Sequence, residues 1–329
     1  MTIEYKDSKR IVGLESDTKP TNVQDNSLLV EKDTARRYWF DGTSWGYENA
    51  ATRGVWGGGY ISGTVNTMDY ITIATTGNAT DFGDLTGAKY VISSCSNETR
   101  GIFAGGDSNN NVIEYITIGT LGNGTDFGDL VTARGQLGGC SNETRGLFAG
   151  GYTPNTDVIQ YITIATPSDS TDFGNLSAAR RAIGAVASPT RGVFGGGTTG
   201  SNVNIIEYVT ISTLGNTQDF GDLTSARDYP MTVHNETRGV WGGGASANTI
   251  DYITIDTTAN ATDFGDLTQA RGTATNGANS ETRGIFGGGW TGSANSNVLD
   301  YITIATTGNA TDFGDLTAAR HGVTGVSGK

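Results

Sequence analysis

Proline, cysteine and histidine are all scarce in this chain of 329 residues, at 5, 2 and 2 respectively. The two cysteines, Cys95 and Cys140, occupy equivalent places in neighbouring repeats. A bridge between such sites would exceed the roughly 7 Å Cα separation that a disulfide tolerates. They read instead as small buried apolar side chains. The histidines, His234 and His321, sit at unrelated positions, and no Cys/His spacing suits a metal, so no metal site and no cofactor is expected. Basic residues are outnumbered, 21 against 34 acidic, and the net charge of -13 opposes nonspecific binding to nucleic acid or an anionic membrane. No run of about 18 apolar residues occurs, and the start M-T-I-E-Y-K-D-S-K-R has no apolar h-region. Neither membrane insertion nor signal-peptide secretion is expected.

What the chain does have is glycine, 50 residues of it, and one phrase written six times. The phrase runs T-R-G-(V/I/L)-(W/F)-(G/A)-G-G, then (I/V/M/L)-(E/D/Q)-Y-(I/V)-T-I, then D-F-G-(D/N)-L, and closes on A-(R/K). Its arginines Arg53, Arg100, Arg145, Arg191, Arg238 and Arg283 are 47, 45, 46, 47 and 45 residues apart. A period of this size marks a solenoid or propeller. Each copy holds four strand-sized segments separated by Gly or Asn, and none carries a helical period. An antiparallel meander of that kind cannot bury both faces alone, and radial packing of such sheets solves the problem.

Three sets of aromatics recur in step: Trp56, Phe103, Phe148, Phe194, Trp241, Phe286; Tyr70, Tyr115, Tyr161, Tyr208, Tyr252, Tyr301; and Phe82, Phe127, Phe173, Phe220, Phe264, Phe313. Packed between sheets, each contributes about 1.5–3 kcal/mol of burial. The ends are complementary. Residues 52–89 lack a first strand, and residues 318–329 supply one with nothing after it. Docking the second beside Gly54–Gly59 would close the ring and remove an open edge. The expected fold is therefore all-β: a six-bladed β-propeller of four-stranded antiparallel blades over residues 51–329, closed by its C-terminal strand, with a small β module at 1–50.

The pattern resembles the kelch repeat, in which an Arg leads into the first strand, Gly-Gly ends the second, a Tyr lies in the third and a Trp in the fourth. Arg180, Gly195-Gly196, Tyr208 and Phe220 take those places here, with Phe for the usual Trp. The resemblance implies a propeller used for binding.

Residues 1–50 are outside the repeat. S-L-L-V-E reads as a strand and R-R-Y-W-F-D-G-T-S-W-G-Y as a hairpin turning at Asp41-Gly42. Trp39, Phe40 and Trp45 are too much aromatic surface for a loose tail, and an interface is expected there. The stretch S-K-R-I-V-G-L…P-T-N-V-Q-D-N-S-L…D-T-A-R-R-Y-W-F-D-G-T-S-W resembles N-terminal segments of tailed-bacteriophage structural proteins. That likeness implies attachment to other virion proteins, a place in the virion after assembly in the host cytoplasm, and homo-oligomeric assembly within the particle.

Several tempting motifs dissolve into the repeat. Gly195–Gly200 spells G-x-G-x-x-G with no helix to follow, and D-F-G occurs six times without a catalytic loop. The carboxylate pair Asp81 and Asp84 recurs in five copies, with Asn175 replacing the second member in the third, so it reads as partners for the repeat arginines rather than as a glycosidase pair. The N-x-T sequons at Asn97 and Asn142 matter only in a secretory pathway. No enzyme is expected. The alternatives are a glycan-active propeller enzyme, which would need an acid constellation unique to one blade, and an intracellular protein–protein adaptor.

The loops of a four-stranded meander divide between two faces. One set is nearly uniform, T-T-G-N-A-T and S-N-E-T, while the loops between second and third strands differ in length and content. Those carry Tyr60, Tyr152 and Trp290, with Asn109 and Asn110, among Ser, Thr and Gly, the mixture of adaptable binding loops. They are the candidate binding residues, for a host-surface glycan or protein. Thr52, where the module joins, lies at the start of a second strand on the opposite face.

Overall fold

The computed structural model describes residues 53–328 other than 108, 109 and 153, and five strands of the N-terminal segment. The chain divides into two compact units, residues 1–51 and 52–329. In the first, Glu4–Asp7, Arg10–Gly13, Leu28–Glu31, Arg37–Phe40 and Trp45–Tyr47 form one sheet in chain order. Arg10–Gly13 and Leu28–Glu31 run parallel, and the other neighbours are antiparallel. The expected hairpin pairs Phe40 with Trp45, while its turn at Asp41-Gly42 lies outside the described residues.

The second unit is a six-bladed β-propeller of four-stranded antiparallel sheets. The first blade takes its inner strand from the C-terminus: Thr324–Ser327, then Arg53–Gly57, Thr67–Thr72 and Thr80–Asp84. The second to sixth blades begin at inner strands Ser93–Ser96, Gly138–Ser141, Gly184–Ala187, Met231–His234 and Ala278–Asn279. Closure is antiparallel, with Thr324 opposite Gly57 and Ser327 opposite Gly54. The ring Trp56, Phe103, Phe148, Phe194, Trp241, Phe286 is completely buried. Each third-strand Tyr meets the outer-strand Phe of its own blade edge-on, at centroid distances from 5.8 to 6.0 Å.

Motifs that suggest chemistry turn out to lock the ring. The D-F-G glycine sits opposite a register shift between third and outer strands. At Gly83 φ is 140°, and a Cβ there would lie 2.5 Å from the carbonyl oxygen of Gly122 in the next blade. Bulge geometry and close approach both demand glycine. The Asn of T-T-G-N-A-T accepts a hydrogen bond from the backbone N–H that ends the preceding blade's D-F-G-D, as in Asp84 to Asn123 and Asp315 to Asn78, at 3.0 and 3.1 Å. Asp169 does the same for Asp129. The T-R-G arginine lies over its own blade's Tyr, 4.5 to 4.9 Å from the ring centroid, and donates to a carbonyl one blade further on, as Arg145 does to Ile211 at 2.9 Å. The Asn97 and Asn142 sequons cap their own turns and donate to Glu143 and Pro189 of the following blade.

The carboxylates that pair with arginine are not those of D-F-G-D, contrary to expectation. Asp81 and Asp84 lie exposed on the outer strand. The pairs form at the seams between blades, where the closing cation meets the third-strand acid before Tyr. Arg180 meets Glu207 at 2.6 Å, Arg227 meets Asp251 at 2.5 Å, Arg271 meets Asp300 at 2.7 Å and Arg320 meets Asp69 at 3.0 Å, while Lys89 pairs with Glu114. All ten residues are buried. Outer strands end at the surface, whereas the third-strand acid points into the seam.

Cys95 and Cys140 form no disulfide and are buried, 4% and 2% exposed. Burial pushes the Cys95 thiol well above its ordinary range. Neither thiol should react with a thiol-specific reagent in the native protein, and both should react in denaturant. Rapid native labelling would mean the axis opens.

Candidate functional site

Two rings of residues build the varied face. The first is the residue after each Gly-Gly: Tyr60, Asp107, Tyr152, Thr198, Ala245 and Trp290. Its backbone N–H donates to the carbonyl of the residue after the closing Arg or Lys, namely His321, Tyr90, Gly135, Arg181, Asp228 and Gly272, at 2.7 to 3.0 Å. The three aromatics singled out from the sequence thus hold the same position in three blades. Each rests on the inner-ring residue of the following seam. Trp290 meets His321 at 5.6 Å, Tyr60 meets Tyr90 at 5.5 Å, and Arg181 lies 4.4 Å over Tyr152.

Tyr60 also meets His321 at 5.3 Å, and His321 meets Tyr90 at 6.0 Å. Trp290, His321, Tyr60 and Tyr90 therefore form one aromatic band across the sixth, first and second blades. All four are half-buried, whereas Tyr152 is 45% exposed and stands apart on the third blade. Asn295 clamps the band, donating from Nδ2 to the carbonyls of Tyr60 and Ile61 at 3.2 and 3.1 Å. Its Oδ1 lies 2.6 Å from His321 Nδ1. A carboxamide oxygen only accepts, so His321 carries its proton on Nδ1 and presents Nε2 as an acceptor among the rings. Burial lowers the His321 pKa, which favours that neutral form, while burial and then Asp107 raise that of Tyr90.

A groove of about 330 Å³ is lined by Thr64, Lys89, Asp107 and Asn110 among others. Asn110 Oδ1 accepts from the Val112 N–H at 2.9 Å, so this side chain shapes its own loop. Asn109 lies outside the described residues. Trp39, Phe40 and Trp45 stand in paired strands of the N-terminal sheet, as backbone register shows.

A ring of backbone surrounds the axis at this face. Val91, Gln136, Ala182, Tyr229, Thr273 and Gly322 all have positive φ. N–H groups of five of the six seams run from one to the next: Val91 to Gly322, Gln136 to Val91, Ala182 to Gln136, Tyr229 to Ala182 and Gly322 to Thr273. Below this backbone annulus a small cavity of about 30 Å³ is lined by Cys95, Cys140, His234 and Asn276. Asn276 spans it, donating to Ser94 and Gly139 carbonyls at 2.7 and 2.9 Å.

The sequence reading missed Tyr90, His321 and Asn295. A signal for the first two was present, because the residue after each closing cation changes from copy to copy directly behind a nearly constant A-(R/K). Chemically, the band offers ring faces for apolar C–H surface, with His321 Nε2 and the Asp107 carboxylate as acceptors for hydroxyl donors. Among the described residues, no group of three or more His, Cys, Asp or Glu is placed to hold a metal. No family model matches the chain, and no curated protein matches it significantly.

Proposed function

We propose that this chain is a non-enzymatic structural and display protein of a tailed-bacteriophage particle, its propeller a divergent kelch-like one. Its N-terminal module attaches it to other virion proteins, and its varied face binds a host-surface glycan or a protein. The observation that supports this reading is the difference between the two faces. The uniform loops are engaged in locking each blade to the next, through Asn78 and its equivalents and through Asn97, Asn142 and Asn235. The loops of the other face share backbone bonds only at their two ends, and between those ends they differ in length and content around an aromatic band. Binding is favoured over catalysis because the buried carboxylates Asp69, Glu114, Glu207, Asp251 and Asp300 each sit against a cation in the same repeated place. The placement in a phage particle rests on the N-terminal resemblance.

The test is attachment of purified protein to host cells and envelope glycans, with mass spectrometry of purified particles. Trp290→Ala and Tyr60→Ala are each expected to weaken attachment by about 1–3 kcal/mol, as truncated aromatic anchors do. Leu214→Ala, at an exposed site on the uniform face, should have no effect. Equal losses from all three, or a propeller absent from the particle, would sink the reading.

A further inference from the structure

One seam breaks the rule of buried ion pairs. The third blade keeps the closing cation, Arg134, but has Gln160 where the others have Glu or Asp. Arg134 is only 3% exposed, and its Nε and Nη2 are buried without a hydrogen-bond partner. We propose that this seam, between the second and third blades, binds a small monovalent anion of the chloride class that replaces the missing carboxylate charge.

The fourth blade supplies the internal comparison. There Glu207 Oε2 accepts from the Ser177 N–H and the Thr217 hydroxyl, which leaves Oε1 to face Arg180. In the third blade, Gln160 Oε1 accepts from the Val131 N–H at 3.1 Å and the Ser170 hydroxyl at 2.7 Å. Gln160 thus repeats the Oε2 contacts of Glu207, and its Nε2 takes the place of the oxygen that faces the cation. Two groups that only donate are set together where the sister seams oppose charges. What the pair lacks is an acceptor carrying negative charge, because a buried cation without one is strongly disfavoured. Burial lowers Arg134 to about 10 with no carboxylate opposing the shift, whereas Arg180, Arg227, Arg271 and Arg320 each have an acid that raises theirs. The occupant is small and monovalent, since the charge it replaces is a single carboxylate within a packed seam.

The experiment is thermal unfolding of the full chain in potassium gluconate progressively replaced by potassium chloride or bromide at constant ionic strength. Wild type should show a Tm that climbs with the logarithm of halide concentration, as a ligand bound only by the native state requires. Gln160→Glu restores the sister geometry, so its Tm in gluconate should exceed wild type by several degrees, with the halide response gone. Arg134→Met should also lose the response. A flat wild-type titration would mean that water satisfies Arg134 and would overturn the proposal, as would an undiminished response in Gln160→Glu. Should a variant fail to fold, bromide-soaked wild-type crystals decide: an anomalous peak at Arg134 supports the site, and its absence rejects it.

Discussion

Deleting residues 318–329 is expected to abolish the folded propeller, leaving a chain that aggregates or melts far below wild type. The deletion removes the whole inner strand of the first blade, which pairs with Gly54–Gly57. It also removes Val323 and Val326, both buried in the core. Polar ties to the second blade go with it, among them the Ser94 and Thr324 hydroxyls at 2.7 Å and the Ser96 hydroxyl on the Ser327 carbonyl at 2.8 Å. The largest single loss is Arg320, because Asp69 is fully buried and would be left as an anion without its cation. Breaking a buried pair alone costs about 3–5 kcal/mol. With strand and core losses added, the sum reaches the roughly 5–15 kcal/mol total stability of an ordinary domain. The bared edge of Arg53–Gly57 then becomes a template for pairing with other chains. Size-exclusion chromatography and urea unfolding decide it, and adding a peptide of residues 318–329 during refolding should restore monomer. A monomeric truncation with wild-type unfolding would show that closure is not by this strand.

The propeller was legible in the sequence because every blade solves the same packing problem with the same residues. Trp56 and its five equivalents, the D-F-G phenylalanines and the complementary ends specify four strands, six sheets and the closing pair. The partner of each charge was not legible. D-F-G-D and the acid before Tyr recur equally often, and only the third strand's position in the seam selects Asp69 over Asp81 as the buried acid. The aromatic band was half legible. Tyr60 and Trp290 stand out as aromatics in varied loops, but their stacking on Tyr90 and His321 joins positions on adjacent repeats that only the closed ring brings together. Asn295 gives no signal of its own, being one Asn among many until its Oδ1 meets His321.

Asp300→Ala is expected to lower stability by about 3–5 kcal/mol, as large an effect as any single substitution in the seams should have. Asp300 and Arg271 have no exposed side-chain surface, and the Asp300 carboxylate takes the Arg271 guanidinium at 2.7 Å together with the Thr268 N–H and hydroxyl. Removing it leaves a buried guanidinium and two donors that nothing else can satisfy. Arg271 also donates to the Phe286 carbonyl at 3.3 Å, which orients the cation but adds no charge to balance it. Asp300→Asn should cost less than Ala, because the amide oxygen can still accept from Thr268, just as Gln160 accepts from Val131 and Ser170. The double replacement Arg271→Met with Asp300→Leu should recover part of the loss, since it removes both desolvated charges while filling the seam but leaves the two Thr268 donors unpaired. Urea midpoints of the four proteins place wild type highest and Ala lowest, with the double variant above Ala. If Asp300→Ala and the double variant lost the same stability, the cost would lie in packing alone. The pairs would then be spacers rather than coupled charges, and the uncompensated Arg134 would cease to be an anomaly that needs an anion.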